Sequence, residues 1–416
     1  MSVKHAFIDL EPLRTVPVFR RLWLGQVLSA FGGQLAFVAV MFQVWDETKS
    51  TAWTGAVGLS QALPLILLGL FAGALVDRVE RRRFYLITTC GQLITAAVMA
   101  SQLVIGSVPV VVLLGLVAAQ ASFGAAAGPV ARTVLPQLLP RELLAAGIAL
   151  NRVGFQGAML IGPAIGGLVV GAWGTGACYL IDCLSFLAAL YGVLGLPRMR
   201  VAAIAQPGLH AVWEGLTFVV STPVIRGALI TDLAATVLSM PISLFPVINA
   251  ERFGNDPRTL GLFLTAIAVG GVTASVLSGT FTRLPRHGLV MLAGSAAWGI
   301  ALALFAFSPA PWLALAFLAV AGAADTVAVV SRSTIVQLHT PSELLGRVSA
   351  AEQIVGQAGP DLGNLRGGLV AQFTSPVTAL ASGALLCVAA VAAVAVTTPG
   401  LRTSEALTTG GSPAQP

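Results

Sequence analysis

The chain has 416 residues, 56% of them hydrophobic and 10% charged, with a net charge of +6 and a mean hydropathy of +0.88. A water-soluble domain of this length is not so apolar, which excludes the soluble enzymes and nucleic-acid binders that a basic chain would otherwise suggest. The excess of Lys and Arg reports membrane topology instead, because these residues accumulate on the cytoplasmic side.

Met1 to Arg21 is polar, carries charges of both signs and holds Phe7, Ile8, Leu10 and Leu13, so it reads as a cytoplasmic amphipathic segment and not as a cleavable signal. Apolar windows follow at about 22–45, 54–76, 84–104, 109–131, 147–170 and 174–196, each near the 20 residues a helical crossing needs. These are long continuous runs and not alternating ten-residue segments, which argues for helices over a barrel. Residues 197–222 read as a cytoplasmic linker containing Arg198, Arg200, Pro207 and Gly208. A second set of windows lies at about 223–249, 258–281, 288–306, 311–332, 347–372 and 375–397, and 398–416 reads as a disordered cytoplasmic tail. The expectation is an all-α polytopic protein of the plasma membrane, with twelve helices in two six-helix bundles, 22–196 and 223–397. Both termini are expected in the cytoplasm, because that orientation places most Lys and Arg on the cytoplasmic side.

The two halves repeat. Gln137 and Glu142 recur as Gln337 and Glu343 with one residue inserted, Arg132 recurs as Arg332, and Gln156 as Gln357. The run Gly166, Gly167, Leu168, Val169 recurs as Gly367, Gly368, Leu369, Val370. Parallel six-helix repeats joined by a linker resemble the plan of the major facilitator superfamily, which implies a substrate site between the halves near the midplane.

The loop after the second window concentrates charge: Gly73, Asp77, Arg78, Arg81 and Arg82 match that superfamily's loop signature, with Glu80 where its second glycine stands. The resemblance implies a cytoplasmic gate in which Asp77 meets the positive amino-terminal end of span eleven, near Gly346 and Arg347. The alternative is that Arg81, Arg82 and Arg83 only anchor the loop. In the second half Gly279 recurs but Arg283 stands in place of Asp77, so the gate is asymmetric. Gly157, Gly162, Pro163, Gly166 and Gly167 of span five are similar to an exporter signature, with Ala158 replacing one glycine. Plain helix packing explains the same glycines.

Ionisable residues within spans are the remaining signal, because a charge at depth costs about 2.5 kcal/mol or more. Asp232, Asp325 and Asp361 lie deepest, and Arg152, Asp182, Glu352 and Arg366 nearer the ends. Desolvation favours a neutral carboxyl, so Asp232 or Asp361 is expected to carry a proton, with Arg152 or Glu352 completing a polar network. Structural salt bridges are the alternative. Gln26 and Gln34 share one face of span one, and with Gln156 they suit a cavity for a polar yet bulky cargo or, equally, interhelical hydrogen bonds.

Around span seven, Arg226, Gly227, Thr231, Asp232, Met240 and Pro241 resemble the drug and siderophore exporter branch of the superfamily, as do Phe19 to Trp23 and Leu345 to Arg347. The resemblance implies secondary active export of a small amphiphilic molecule, a siderophore or a drug, by proton antiport. Macrolide or multidrug efflux and a non-transporting membrane sensor are the competing readings. An enzyme is not expected: His5, His210, His287 and His339 all fall in cytoplasmic segments, leaving no dyad or zinc pair within the spans. Cys90, Cys178, Cys183 and Cys387 show no metal spacing, and no Gly-rich loop carries Lys4 or Lys49 for ATP. No cofactor is expected. The partners are the cargo, protons and the lipid bilayer, with no nucleic acid, and the protein is expected to act as a monomer.

Overall fold

The computed structural model describes residues 9–76, 80–197, 199, 209–341 and 343–402, with backbone alone at 69–76, 132, 209–213, 346, 350 and 354. Regular structure among the described residues is helical. The short α1 (Glu11–Thr15) leads into α2 (Pro17–Thr48), followed by α3 (Thr51–Val76), α4 (Arg81–Ala100), the single turn α5 (Gln102–Ile105), α6 (Val110–Leu138), α7 (Arg141–Trp173) and α8 (Thr175–Leu194). After the linker come α9 (Leu209–Ser221), α10 (Pro223–Ser239), α11 (Phe245–Arg252), α12 (Pro257–Val276), α13 (His287–Ala306), α14 (Pro311–His339), α15 (Leu345–Phe373), α16 (Pro376–Thr397) and α17 (Pro399–Arg402). Helices α2, α10, α12, α14 and α16 all open on proline, whose missing N–H is no loss in a first turn. Gly174, at φ 79°, makes the sharp turn between α7 and α8 that a side chain would strain.

Among the described residues eleven segments are long and apolar enough to cross a membrane. Helix α15, which covers the window expected as span eleven, has 29 residues, ample for a crossing, but carries Arg347, Glu352, Gln353, Gln357, Asp361, Asn364 and Arg366. Large apolar side chains such as Ile87, Ile94, Leu184, Leu385 and Val396 are exposed on the helix surfaces, as lipid-facing residues must be.

Three expectations change. Span seven is not one helix: α10 stops at Ser239, a 3-10 turn covers Ile242–Leu244, and α11 restarts at Phe245. Pro241 has no N–H to offer, and it holds Met240 at ψ 123°. The Leu238 carbonyl, left without its helical donor, accepts instead from Arg366 Nη1 at 2.6 Å. Secondly, α9 occupies much of the expected linker. Thirdly, the expected tail begins with α17, whose Leu401 is fully buried.

The described residues form two compact units, each discontinuous in sequence. In the unit drawn from Met1–Gln206, Ile242–Thr265 and Gly368–Pro376, α2 packs on α7 and α8, and α4 and α3 pack on α6. Helices α2 and α8 touch at their backbones: a Cβ on Gly25 would stand 2.7 Å from the Ala188 carbonyl oxygen. Thr51 Oγ1 donates to the Gly368 carbonyl at 2.8 Å, and Ser50 Oγ to Gln372 at 2.9 Å. In the unit drawn from Pro207–Pro241, Ala266–Gly367 and Val377–Pro416, α13 packs along α14 and α10 lies on both. Val219, Ile225, Leu229, Val336 and Val348 form one of its apolar clusters.

Candidate functional site

A cavity of about 450 Å³ in the second unit gathers side chains from α10, α12, α13, α14 and α15, among them Asp232, Trp298, Asp325, Arg332, Ser333, Glu352 and Gln353. Arg332 sits at its wall, with 7% of its side chain exposed, and its guanidinium is shared between two carboxylates. Nη1 pairs with Asp232 Oδ1, and Nε lies 3.2 Å from Glu352 Oε1, which also accepts from Ser333 Oγ at 2.8 Å. Asp232 Oδ2 is buried without a partner. Asp325, about two turns before Arg332 on the same face of α14, lies within electrostatic range of both Asp232 and Arg332. Three carboxyl groups thus stand around one guanidinium, which pairs with two of them, a formal charge of −2 when all are ionised. Such a site is completed by a proton or by a cationic or hydrogen-bonding group of a ligand.

The local fold explains how these groups meet. Arg332 is brought into the interior because α14 continues to His339, seven residues past the end expected for span ten. Glu352 belongs to α15, whose polar face turns toward this cavity along Ser349, Glu352, Gln353, Gly356 and Pro360, a 3-to-4-residue rhythm. Asp232 lies in α10, seven residues before the break, and Trp298 Nε1 braces that break by donating to Ser239 Oγ at 2.9 Å. Arg332 was not among the expected site residues. The signals for it were its register with Arg132 in the repeat and its charge beside an apolar run.

Other expected residues are placed apart from this cluster. Asp361 forms no hydrogen bond or ion pair among the described residues and does not line the cavity, although Pro360 does. Arg152 and Gln156 are exposed on α7. Gln26 donates to Tyr85 Oη at 3.0 Å, and Gln34 to Met159 Sδ at 3.0 Å. Gln26 also lines an apolar pocket of about 490 Å³ in the first unit, between α2, α6 and α7, where Asn151 is the other amide among Val27, Leu135, Ile148 and Phe155.

The span-five glycines divide by neighbour. A Cβ on Gly162 would stand 2.6 Å from Gln34 Cβ, and one on Gly166 3.2 Å from Leu35 Cα, so these two seat α7 on α2. Gly167 faces the other way, where a Cβ would lie 2.5 Å from the Pro257 carbonyl oxygen of α12, while Pro163 contacts Gly261. Gly157 meets nothing within 4 Å.

Of the charged loop, Asp77 and Arg78 lie outside the described residues, and for Gly73 in α3 and Gly346 in α15 only the backbone is described. Glu80, standing at the signature's second glycine, caps α4: one carboxylate oxygen accepts from the Arg83 N–H and the other from the Met199 N–H, each at 3.3 Å. Arg81 is buried, and Arg82 Nη2 donates to the Leu194 carbonyl at 3.0 Å. Arg347 Nη1 pairs with Glu214 of α9 at 2.6 Å.

Helices of this length and apolarity among the described residues define a polytopic membrane protein. The chain belongs to the transmembrane secretion effector family, whose profile matches residues 8–412. It is 29% identical over 393 residues, 92% of each chain, to the enterobactin exporter EntS of Shigella boydii serotype 18 and, equally, to that of Escherichia coli O157:H7. The fold is shared with the nucleoside transporter NupG (TM-score 0.72, 15% identity, 93% of this chain and 98% of that one). It is shared as well with a bacterial homologue of the iron transporter ferroportin (TM-score 0.69, 15% identity, 93% and 99%). Both structures are major facilitator-like in architecture, and the protein is a multi-pass membrane transporter of the secretion type.

Proposed function

We propose that the protein exports a small amphiphilic molecule of the siderophore or drug type, driven by inward proton movement. The observation that carries this reading is the sharing of Arg332 by Asp232 and Glu352, with Asp325 beside them, at the wall of one cavity. Protonating one carboxyl releases the guanidinium to the other or to the cargo, so proton and cargo occupancy are linked through a single charge. Relatives named for enterobactin favour a siderophore. The apolar pocket at Gln26 and Asn151 favours a hydrophobic drug as the second reading, since it presents only two amides to a ligand.

The gating role implied for Asp77, Arg78, Arg81 and Arg82 belongs to the same proposal, as do cytoplasmic termini. The test is counterflow and gradient-driven uptake in inside-out proteoliposomes, with enterobactin and a macrolide as cargoes. The reading expects uptake that rises with an inward-acid gradient and falls to background in Asp232→Asn and Glu352→Gln. Transport unchanged after the gradient is collapsed would exclude antiport.

A further inference from the structure

The first unit holds a buried carboxyl that the reading above does not use. Asp182 lies in α8 with 1% of its surface exposed. Gly32 of α2 makes room for it, because a Cβ there would stand 2.9 Å from Asp182 Oδ1. Oδ2 accepts from Gln120 Nε2 of α6 at 3.1 Å, and Ser185 Oγ, one turn on, donates to the Asp182 backbone carbonyl at 2.6 Å. Oδ1 is buried with no partner. Buried polar atoms are nearly always bonded, and an ionised carboxylate without a counter-charge is among the costliest groups to hold in an apolar interior.

Among the described residues no neighbour supplies a counter-charge. The thiols of Cys178 and Cys183 on the same helix are the titratable groups within electrostatic range. Of the helices around α8, α2 carries Arg20, Arg21, Asp46 and Glu47 near its ends. Helix α4 carries Arg81, Arg82 and Arg83 at its start, then Tyr85 and Cys90; α7 carries Arg141, Glu142 and Arg152; α6 has Arg132 toward its end; α5 has none. Among the described residues none of these forms an ion pair or hydrogen bond with Asp182. Gln120, which donates to it, also lines a cavity of about 260 Å³ together with Gln61 of α3 and Gln92 of α4. That space is large enough for several waters, which take about 30 Å³ each, and the three amides give them partners.

We propose that Asp182 is a proton-binding site, loaded and unloaded through the Gln61, Gln92 and Gln120 cavity. A proton arriving by water forms the O–H bond on the carboxylate and cancels its charge, and release returns it to the same waters. The proposal rests on the proton-coupled reading and places a second proton-binding carboxyl in the first unit, with no basic partner among the described residues.

The test is pH-difference infrared spectroscopy of the purified full-length protein. The C=O stretch of a carboxylic acid in apolar surroundings should appear on acidification, vanish in Asp182→Asn and persist in Asp232→Asn. A merely structural Asp182 would leave no such band to lose, and a spectrum unchanged in Asp182→Asn overturns the proposal. Should that variant not fold, Gln120→Leu keeps the carboxyl and removes its donor, so the band must shift; an unshifted band overturns the proposal equally. In proteoliposomes Asp182→Asn should keep counterflow, which moves no net proton, and lose gradient-driven export; undiminished gradient-driven export would sink it. If wild-type protein shows no gradient-driven export, the coupled-transport reading fails, while the infrared band still reports on Asp182, so the two failures are distinct.

Discussion

Arg332 carries one positive charge against Asp232 and Glu352 in a cavity wall where each side chain is at most 13% exposed. Removing it strands two carboxylates, so Arg332→Gln is expected to cost about 3–5 kcal/mol and to abolish export. Thermal unfolding in detergent and the proteoliposome assay measure the two effects. Adding Asp232→Asn and Glu352→Gln to Arg332→Gln should recover much of the stability and none of the transport, because the orphaned charges are gone but the exchange is too. Sequence made the carboxyl partners visible, since an acid within an apolar window stands out. Their shared cation was harder to see: Arg332 fell at the edge of a window, and only the continuation of α14 past it carries the guanidinium inward.

Among the helices, α7 and the broken span seven give the sharpest expectations. A side chain at Gly167 has to displace the Pro257 carbonyl, and Gly167→Val should cost about 1–3 kcal/mol in thermal stability by overpacking. Gly157→Ala has open space before it and should be neutral or stabilising by up to about 1 kcal/mol through helix propensity. Equal losses at both positions would show that the glycines act as one motif and not through their separate neighbours. At the break, Arg366→Met leaves the Leu238 carbonyl without its donor, with an expected loss of about 1–3 kcal/mol that Trp298→Phe should not reproduce in full. The proline that makes this break was plain in the sequence. That an arginine from α15 would answer it was not, because Arg366 and the Leu238 carbonyl it donates to are 128 residues apart.

At the level of the whole chain, surface charge contributes least to stability. Arg347 and Glu214 keep 31% and 46% of their side chains exposed, so Glu214→Gln should change stability by less than about 1 kcal/mol and the change should fade with added salt. Reporter fusions at both ends are expected to read cytoplasmic, and a periplasmic reading at either end would overturn the orientation derived from Lys and Arg. The helical class, the approximate spans and the internal repeat followed from sequence, because lipid leaves a backbone one way to satisfy its hydrogen bonds and apolar length then marks each crossing. The sequence could not show that α15 is as polar as it is because one face borders a charged cavity, that stretches near Pro257 and Gly368 pack with the first unit, or that Asp182 stands without a counter-charge among the described residues. Each of these depends on which helix faces which, a matter of close contacts between residues far apart in the chain that no local pattern encodes.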